Sequence, residues 1–277
     1  MKIFEIPQTT PLAVHRIIPE HDMRGFPYRD FKSMKPEDSK LGDAGYYVGV
    51  KATCVYHSQT ERMALHFLDF NTRVLLFRTM LPYYDEEKFC RKYLNGDPIW
   101  RNEVSTIDID ILYEDDLLRL SPHGVSCKDT AVEFETDSGV RRSARDRAFY
   151  ESINGTWEPV VKNYFPEIEY YNYVYIVKHI RRSNVFELND EAQHIAQLWK
   201  KRGLKKPVAE YLEPFAKKLG TDRHQIFRLT CAAIYLGHLR LDHNYEFSTR
   251  TPLRLQPDGI YRFSQMKEMA PWGFRNE

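Results

Sequence analysis

The sequence predicts an α/β protein, a mixed sheet flanked by helices and followed by a mainly helical part, on three observations. Short β-branched and aromatic runs alternate with stretches of helical apolar spacing as far as about residue 183. Past Ser183 the pattern turns helical with short breaks. Between Ile107 and Glu135 two alternating runs set carboxylates on one side of each and apolar residues on the other.

Residues 1–45 carry Pro7, Pro11, Pro19, Pro27 and Pro36 with weak periodicity, which reads as an irregular N-terminal arm. Tyr46 to Tyr56 is β-branched and aromatic, hence a strand. Ser58-x-x-Glu61 then precedes Met63, Ala64, Phe67 and Leu68 at helical spacing, a capping box opening a helix. Arg73 to Pro82 is a strand stopped by proline, and Tyr84 to Asn95 a short helix ending at Gly96. Ile107 to Tyr113 is a strand, Ser121-Pro122-His123-Gly124 a turn, and Ala131 to Glu135 a second strand. A helix over about Ser143 to Ile153, a break at Asn154-Gly155, a helical piece near Pro159 to Tyr164 and an apolar strand Tyr171 to Val177 complete this part.

Helices are expected over Asn189 to Lys201, over Pro207 to Leu219 with Gly220 as its stop, and from a Thr221 cap through Leu236 to Gly237. Leu239 to Asp242 and Phe247 to Leu255 then form a small ribbon. Three helices and a ribbon in this order outline a winged helix, or a plain helical cap with no nucleic acid. The chain divides into the arm at 1–45, a core at 46–183, and a C-terminal domain with its tail at 184–277.

A chain of 277 residues with 42% hydrophobic and 14% aromatic content buries a full core, which excludes a disordered protein. No apolar run reaches the roughly 18 residues of a membrane span, and no signal-type segment follows Met1, so a cytoplasmic protein is expected. Cys54, Cys90, Cys127 and Cys231 lie far apart and read as free thiols. A net charge of +1 argues against coating nucleic acid by bulk charge, but leaves two local basic runs, Arg141 to Arg147 and Lys200 to Lys206. No Gly-x-x-x-x-Gly-Lys loop supports an ATPase.

Asp108 and Asp110 on one strand, with Glu133 and Glu135 on the next, would converge on one patch if the strands pair. Like charges so placed call for a cation, and a hard divalent ion such as Mg²⁺ with substrate phosphates points to phosphodiester cleavage. A solvated hairpin face is the other reading. Glu61 is either the helix cap alone or a further carboxylate over the patch. His66, on the same helix, is the one histidine of interest; the others lack metal-ligand spacing.

Ser58-x-x-Glu61, Met80-Leu81-Pro82, the Asp110-Ile-Leu-Tyr strand, Glu133-Phe-Glu135 and a late strand with Arg181-Arg182 together resemble the TnsA family, over about Tyr46 to Leu255. These are endonuclease subunits of heteromeric transposases, with a restriction-endonuclease-like core and a winged-helix-like C-terminal domain. The resemblance implies a Mg²⁺-dependent DNA endonuclease, Mn²⁺ substituting, that cuts one strand at transposon ends. It implies Glu61, Asp110 and Glu133 as metal ligands, Asp108 being the alternative to Asp110. Its partners would be double-stranded DNA, a DDE-type transposase and an AAA+ regulator. Arg141, Arg142, Arg145 and Arg147 would hold the DNA backbone. At the position matched to Glu135 the family has a lysine that orients the attacking water and stabilises developing charge. A glutamate there acts as base or added ligand, or marks a subunit that binds and assembles without cutting; Lys128 and Arg141 are the cations close by in sequence. A free-standing restriction or repair nuclease is the further alternative.

Overall fold

The computed structural model describes residues 44–83, 86–97, 105–115, 117, 119–201 and 205–256. The expected N-terminal arm and C-terminal tail, and the middle of the Lys200 to Lys206 run, lie outside these. Two strands, β1 (Gly45–Val48) and β2 (Thr53–Tyr56), form an antiparallel hairpin where one strand was expected. Helix α1 (Gln59–Phe70) follows, then β3 (Val74–Tyr83), α2 (Glu86–Asn95), β4 (Ser105–Glu114) and β5 (Leu120–Lys128). A one-turn helix α3 (Val132–Glu135), α4 (Asp137–Ser152), β6 (Thr156–Val161) and α5 (Glu167–Ile180) complete the α/β part. The mixed sheet runs β3-β4-β5-β6, antiparallel twice and then parallel.

Helices pack on both faces. Met63, Ala64, Phe67 and Leu68 of α1 are buried with Phe77, Ile109, Ile111, Val125 and Val160 of the sheet. Tyr150 of α4 lies on the other side, where the Asp108 and Asp110 side chains point. Helices α6 (Asn189–Lys200), α7 (Val208–Leu219) and α8 (Arg223–Tyr235) come last. Asp222, not Thr221, caps α8, its carboxylate accepting the His224 and Gln225 N–H groups. The ribbon reduces to the bridge Leu241↔Leu255 flanked by Asp242 N–H to Arg254 and Gln256 N–H to Arg240, both 2.9 Å.

Four local expectations are corrected. Ser121 to Gly124 is the first half of β5, not a turn. Gly124 fits beneath Tyr150, where a Cβ would lie 2.0 Å from the ring, and Pro122 pairs with β4 just before β6 begins its pairing at His123. Ala131 to Glu135 is not a strand, because Val132 is two-thirds exposed and no partner face buries the alternating residues. Pro159 belongs to β6, which tolerates proline as the sheet's edge, and only Lys162 to Tyr164 turn helically, as a 3-10 turn. Tyr171 to Val177 lies in α5, whose C-cap is Arg181; no late strand carries Arg181-Arg182. The residues buried there, Tyr170, Tyr173, Ile176, Val177 and Ile180, keep helical spacing, so packing overrides their β preference.

Candidate active site

Ser58 is the N-cap of α1, and its Oγ accepts the Glu61 N–H at 3.1 Å. The Glu61 carboxylate reaches back to accept the His57 N–H at 2.8 Å and the Ser58 O–H at 3.3 Å, the reciprocal cap that the sequence spells. The same carboxylate faces Asp108. Burial, and after it the Asp108 charge, push Glu61 up to about 8, while Lys128 pulls the other way. Thr60 donates to Asp129 at 2.8 Å, which fastens the first turn of α1 to the residue after Lys128.

Asp108 stands where β4 and β5 part. Their ladder runs from Glu114↔Leu120 to Ile109↔Val125. Beyond it Asp108 Oδ2 accepts the Cys127 N–H at 2.8 Å, while Arg142 Nη2 from α4 donates to Asp108 Oδ1 and to the Thr106 carbonyl, each at 2.9 Å. The carboxylate and guanidinium thus satisfy backbone groups that the ladder leaves. On the other side Met80, between the Thr79↔Ile109 and Leu81↔Ile107 pairs, has φ 59°. A non-glycine residue held in this left-handed region costs on the order of 1–3 kcal/mol, and such strain clusters at functional sites. Lys128 ends β5 and, by the register, shares the face of Asp108.

A buried polar layer continues along this face beneath α4. Asp110 Oδ1 accepts the Tyr150 O–H at 2.7 Å, and its Oδ2 pairs with Arg78 at 3.1 Å. Asp146 accepts the Tyr83 and Ser126 hydroxyls, and burial raises its carboxyl above the ordinary range. The Trp157 indole donates to Ser126 Oγ at 3.1 Å.

Of the expected ligands, then, Glu61 is at this corner, within electrostatic reach of Asp108; Asp110 lies two residues further along β4 with Tyr150 and Arg78. Glu133 and Glu135 sit exposed on α3, where Glu133 accepts the Thr130 N–H at 3.2 Å. They occupy a helical turn past the sheet, so the strand pairing that was to bring them onto the patch does not exist. Lys128 ends β5 on the face of Asp108, while Glu135 lies on α3 away from it. The sequence signal for the end of this strand is the short run Val125-Ser126-Cys127-Lys128, obscured by the turn residues before it. Arg141, Arg145 and Arg147 are exposed on α4, and Arg142 turns inward to Asp108. His66 is packed between the Tyr47 and Tyr170 rings, and burial lowers it to about 3, so it is a neutral core residue.

Among the described residues no three His, Cys, Asp or Glu side chains group as a metal site. Mg²⁺ takes one or two carboxylates from protein when waters and substrate phosphates fill its shell, and Glu61 would release the proton that burial favours in order to be one of them. Glu61 and Asp108 fit that ion and not a closed zinc site. No family model matches the chain, and no curated protein matches it. Among the described residues no helix is long and apolar enough to cross a membrane.

Proposed function

We propose that this chain is a Mg²⁺-dependent DNA endonuclease acting where α1, β4 and β5 meet. The observation that carries the reading is that Glu61 of α1, Asp108 of β4 and Lys128 of β5 lie within electrostatic reach of one another at the end of the sheet where β4 and β5 part. Glu61 and Asp108 would hold the ion, which when bound polarises phosphate oxygen and acidifies water. Water attacks phosphorus, the bond to the leaving sugar oxygen breaks, and the water proton passes to that oxygen. Lys128 orients the water and offsets the negative charge that builds on the phosphate oxygens. Arg141, Arg145 and Arg147 contact the DNA backbone from α4. On the likeness to the TnsA family the substrate is a transposon end nicked on one strand, with a DDE-type transposase and an AAA+ regulator as partners. The three C-terminal helices with the Leu241–Leu255 pairing support a winged-helix-like domain there.

The test is nicking of element-end DNA with Mg²⁺ or Mn²⁺, with and without the cognate transposase. Asp108→Asn and Lys128→Ala are each expected to lower the rate by about 10²-fold or more, the scale for losing one electrostatic stabiliser. Glu133→Ala and Glu135→Ala are expected to leave it intact. Cleavage that survives both Asp108→Asn and Lys128→Ala would overturn the assignment, and cleavage without the transposase would favour a free-standing nuclease. The Arg142–Asp108 ion pair favours a second reading, a DNA-binding and assembly subunit that does not cut. It predicts no nicking in any form, with DNA binding weakened by Arg141→Ala and Arg145→Ala.

A further inference from the structure

Resting on the reading of Glu61 and Asp108 as cation-holding carboxylates, we propose that Arg142 is a built-in counter-ion seated on Asp108 Oδ1, so that a divalent cation enters the site by exchange with the guanidinium. Arg142 Nη2 engages that oxygen and the Thr106 carbonyl at 2.9 Å each, and Nε lies 3.7 Å from Asp146. The other Asp108 oxygen accepts the backbone N–H of Cys127 at 2.8 Å, a group fixed in β5. The exchangeable partner of Asp108 is therefore the arginine. Its side chain is 35% exposed while Asp108 is 10% and Asp146 0% exposed, so the guanidinium has solvent to turn into and Asp146 keeps it anchored. Asp146 is itself fixed by Tyr83 and Ser126. The neighbouring charges are Glu61 and Lys128, and neither is bonded to Asp108 as Arg142 is.

Exchange of one positive group for another leaves the charge on Asp108 compensated throughout, and it weakens cation binding by the strength of the ion pair that must open. Removing the guanidinium should tighten cation binding. The experiment is Mn²⁺ titration of the full chain, read by the electron paramagnetic resonance signal of free Mn²⁺, for wild type, Arg142→Gln, Arg142→Lys and Asp108→Asn. Thermal unfolding of each variant reports its fold. Arg142→Gln is expected to bind Mn²⁺ about tenfold more tightly than wild type, the scale of one competing charged hydrogen bond. Arg142→Lys keeps the charge but not the fork that spans two acceptors. It is expected to tighten binding less, and it still tests the exchange if the glutamine variant does not fold. Asp108→Asn is expected to lose binding. Binding that needs Asp108 yet is no tighter in either Arg142 variant overturns the exchange and leaves the site standing. Mn²⁺ binding that is absent, or indifferent to Asp108→Asn, overturns the site and the exchange together.

Discussion

Gly124 gives the polar layer its room. A Cβ at this position would sit 2.0 Å from the Tyr150 ring, and Tyr150 is wholly buried with its O–H on Asp110. Gly124→Ala must therefore push the ring away or part β5 from α4, and we expect a loss of about 3 kcal/mol, the upper range for overpacking. Equal urea midpoints for the two proteins would refute that account. Glu169 makes a second residue-scale prediction. Burial raises it to about 7 against the Tyr173 O–H that it accepts at 2.6 Å, and its Oε2 has no partner among the described residues. From its ordinary 4.5 up to about 7 the native state keeps a proton that the unfolded chain releases, so this group lowers stability as pH rises through that window. Glu169→Gln does not titrate, and its stability relative to wild type should grow between about pH 5 and about pH 8. A difference that stays constant across urea melts in that range would mean an ordinary carboxyl. At this scale the sequence showed that carboxylates line one face of β4, but not which of them α1 meets. Asp108 and Asp110 alternate onto the same side; the end of the β4–β5 ladder, a tertiary feature, separates their roles.

Helix α1 was legible because its signals are local: Ser58, Glu61 and the apolar spacing all belong to one stretch of sequence. Ser58→Ala should cost about 1 kcal/mol, as N-cap truncations do. Glu61→Gln should keep the helix stable while removing the titrating group, since an amide oxygen still accepts the His57 N–H. Thermal melts of the pair decide it, and a Glu61→Gln protein as weakened as Ser58→Ala would show that the cap needs the carboxylate. The elements that fold against their local pattern share a cause. Alternation in Ala131 to Glu135 had no burying face behind it, while the aromatic run of α5 held a helical spacing that its β-branched composition masked. The start of β5 looks like a turn because Gly124 answers to Tyr150, a neighbour 26 positions away and invisible to any local window. That Lys128 shares a face with Asp108 depends on that strand, so the local sequence could not place it there.

At the scale of the molecule, the α/β part and the C-terminal helices share one buried cluster, running from Leu68 and Phe70 through Tyr173 and Ile176 to Ile234 and Tyr235. Its polar hub is Asp69, fully buried at the end of α1. It accepts the Tyr47 O–H at 2.6 Å, the Val50 and Lys51 N–H groups at 2.9 and 3.0 Å, and the Tyr235 O–H at 3.1 Å. One carboxylate thereby joins the β1–β2 hairpin, α1 and α8. Phe70 stacks on Tyr173 at 4.0 Å and meets the Tyr235 ring edge-on at 5.2 Å, so the apolar contacts follow the same path. The helices after Ser183 complete this core. Two consequences can be measured. Tyr235→Phe removes a donor from a buried charge and should cost about 1.5–3 kcal/mol. A chain ending at Ser183 would expose the inner faces of α1 and α5, and it should show no cooperative melt, whereas the full chain should unfold in a single transition with calorimetric and van't Hoff enthalpies equal. Two separate transitions in the full chain, or a cooperative melt of the shortened one, would mean that the Asp69 hub joins two units that stand alone, and that the site corner owes nothing to α8.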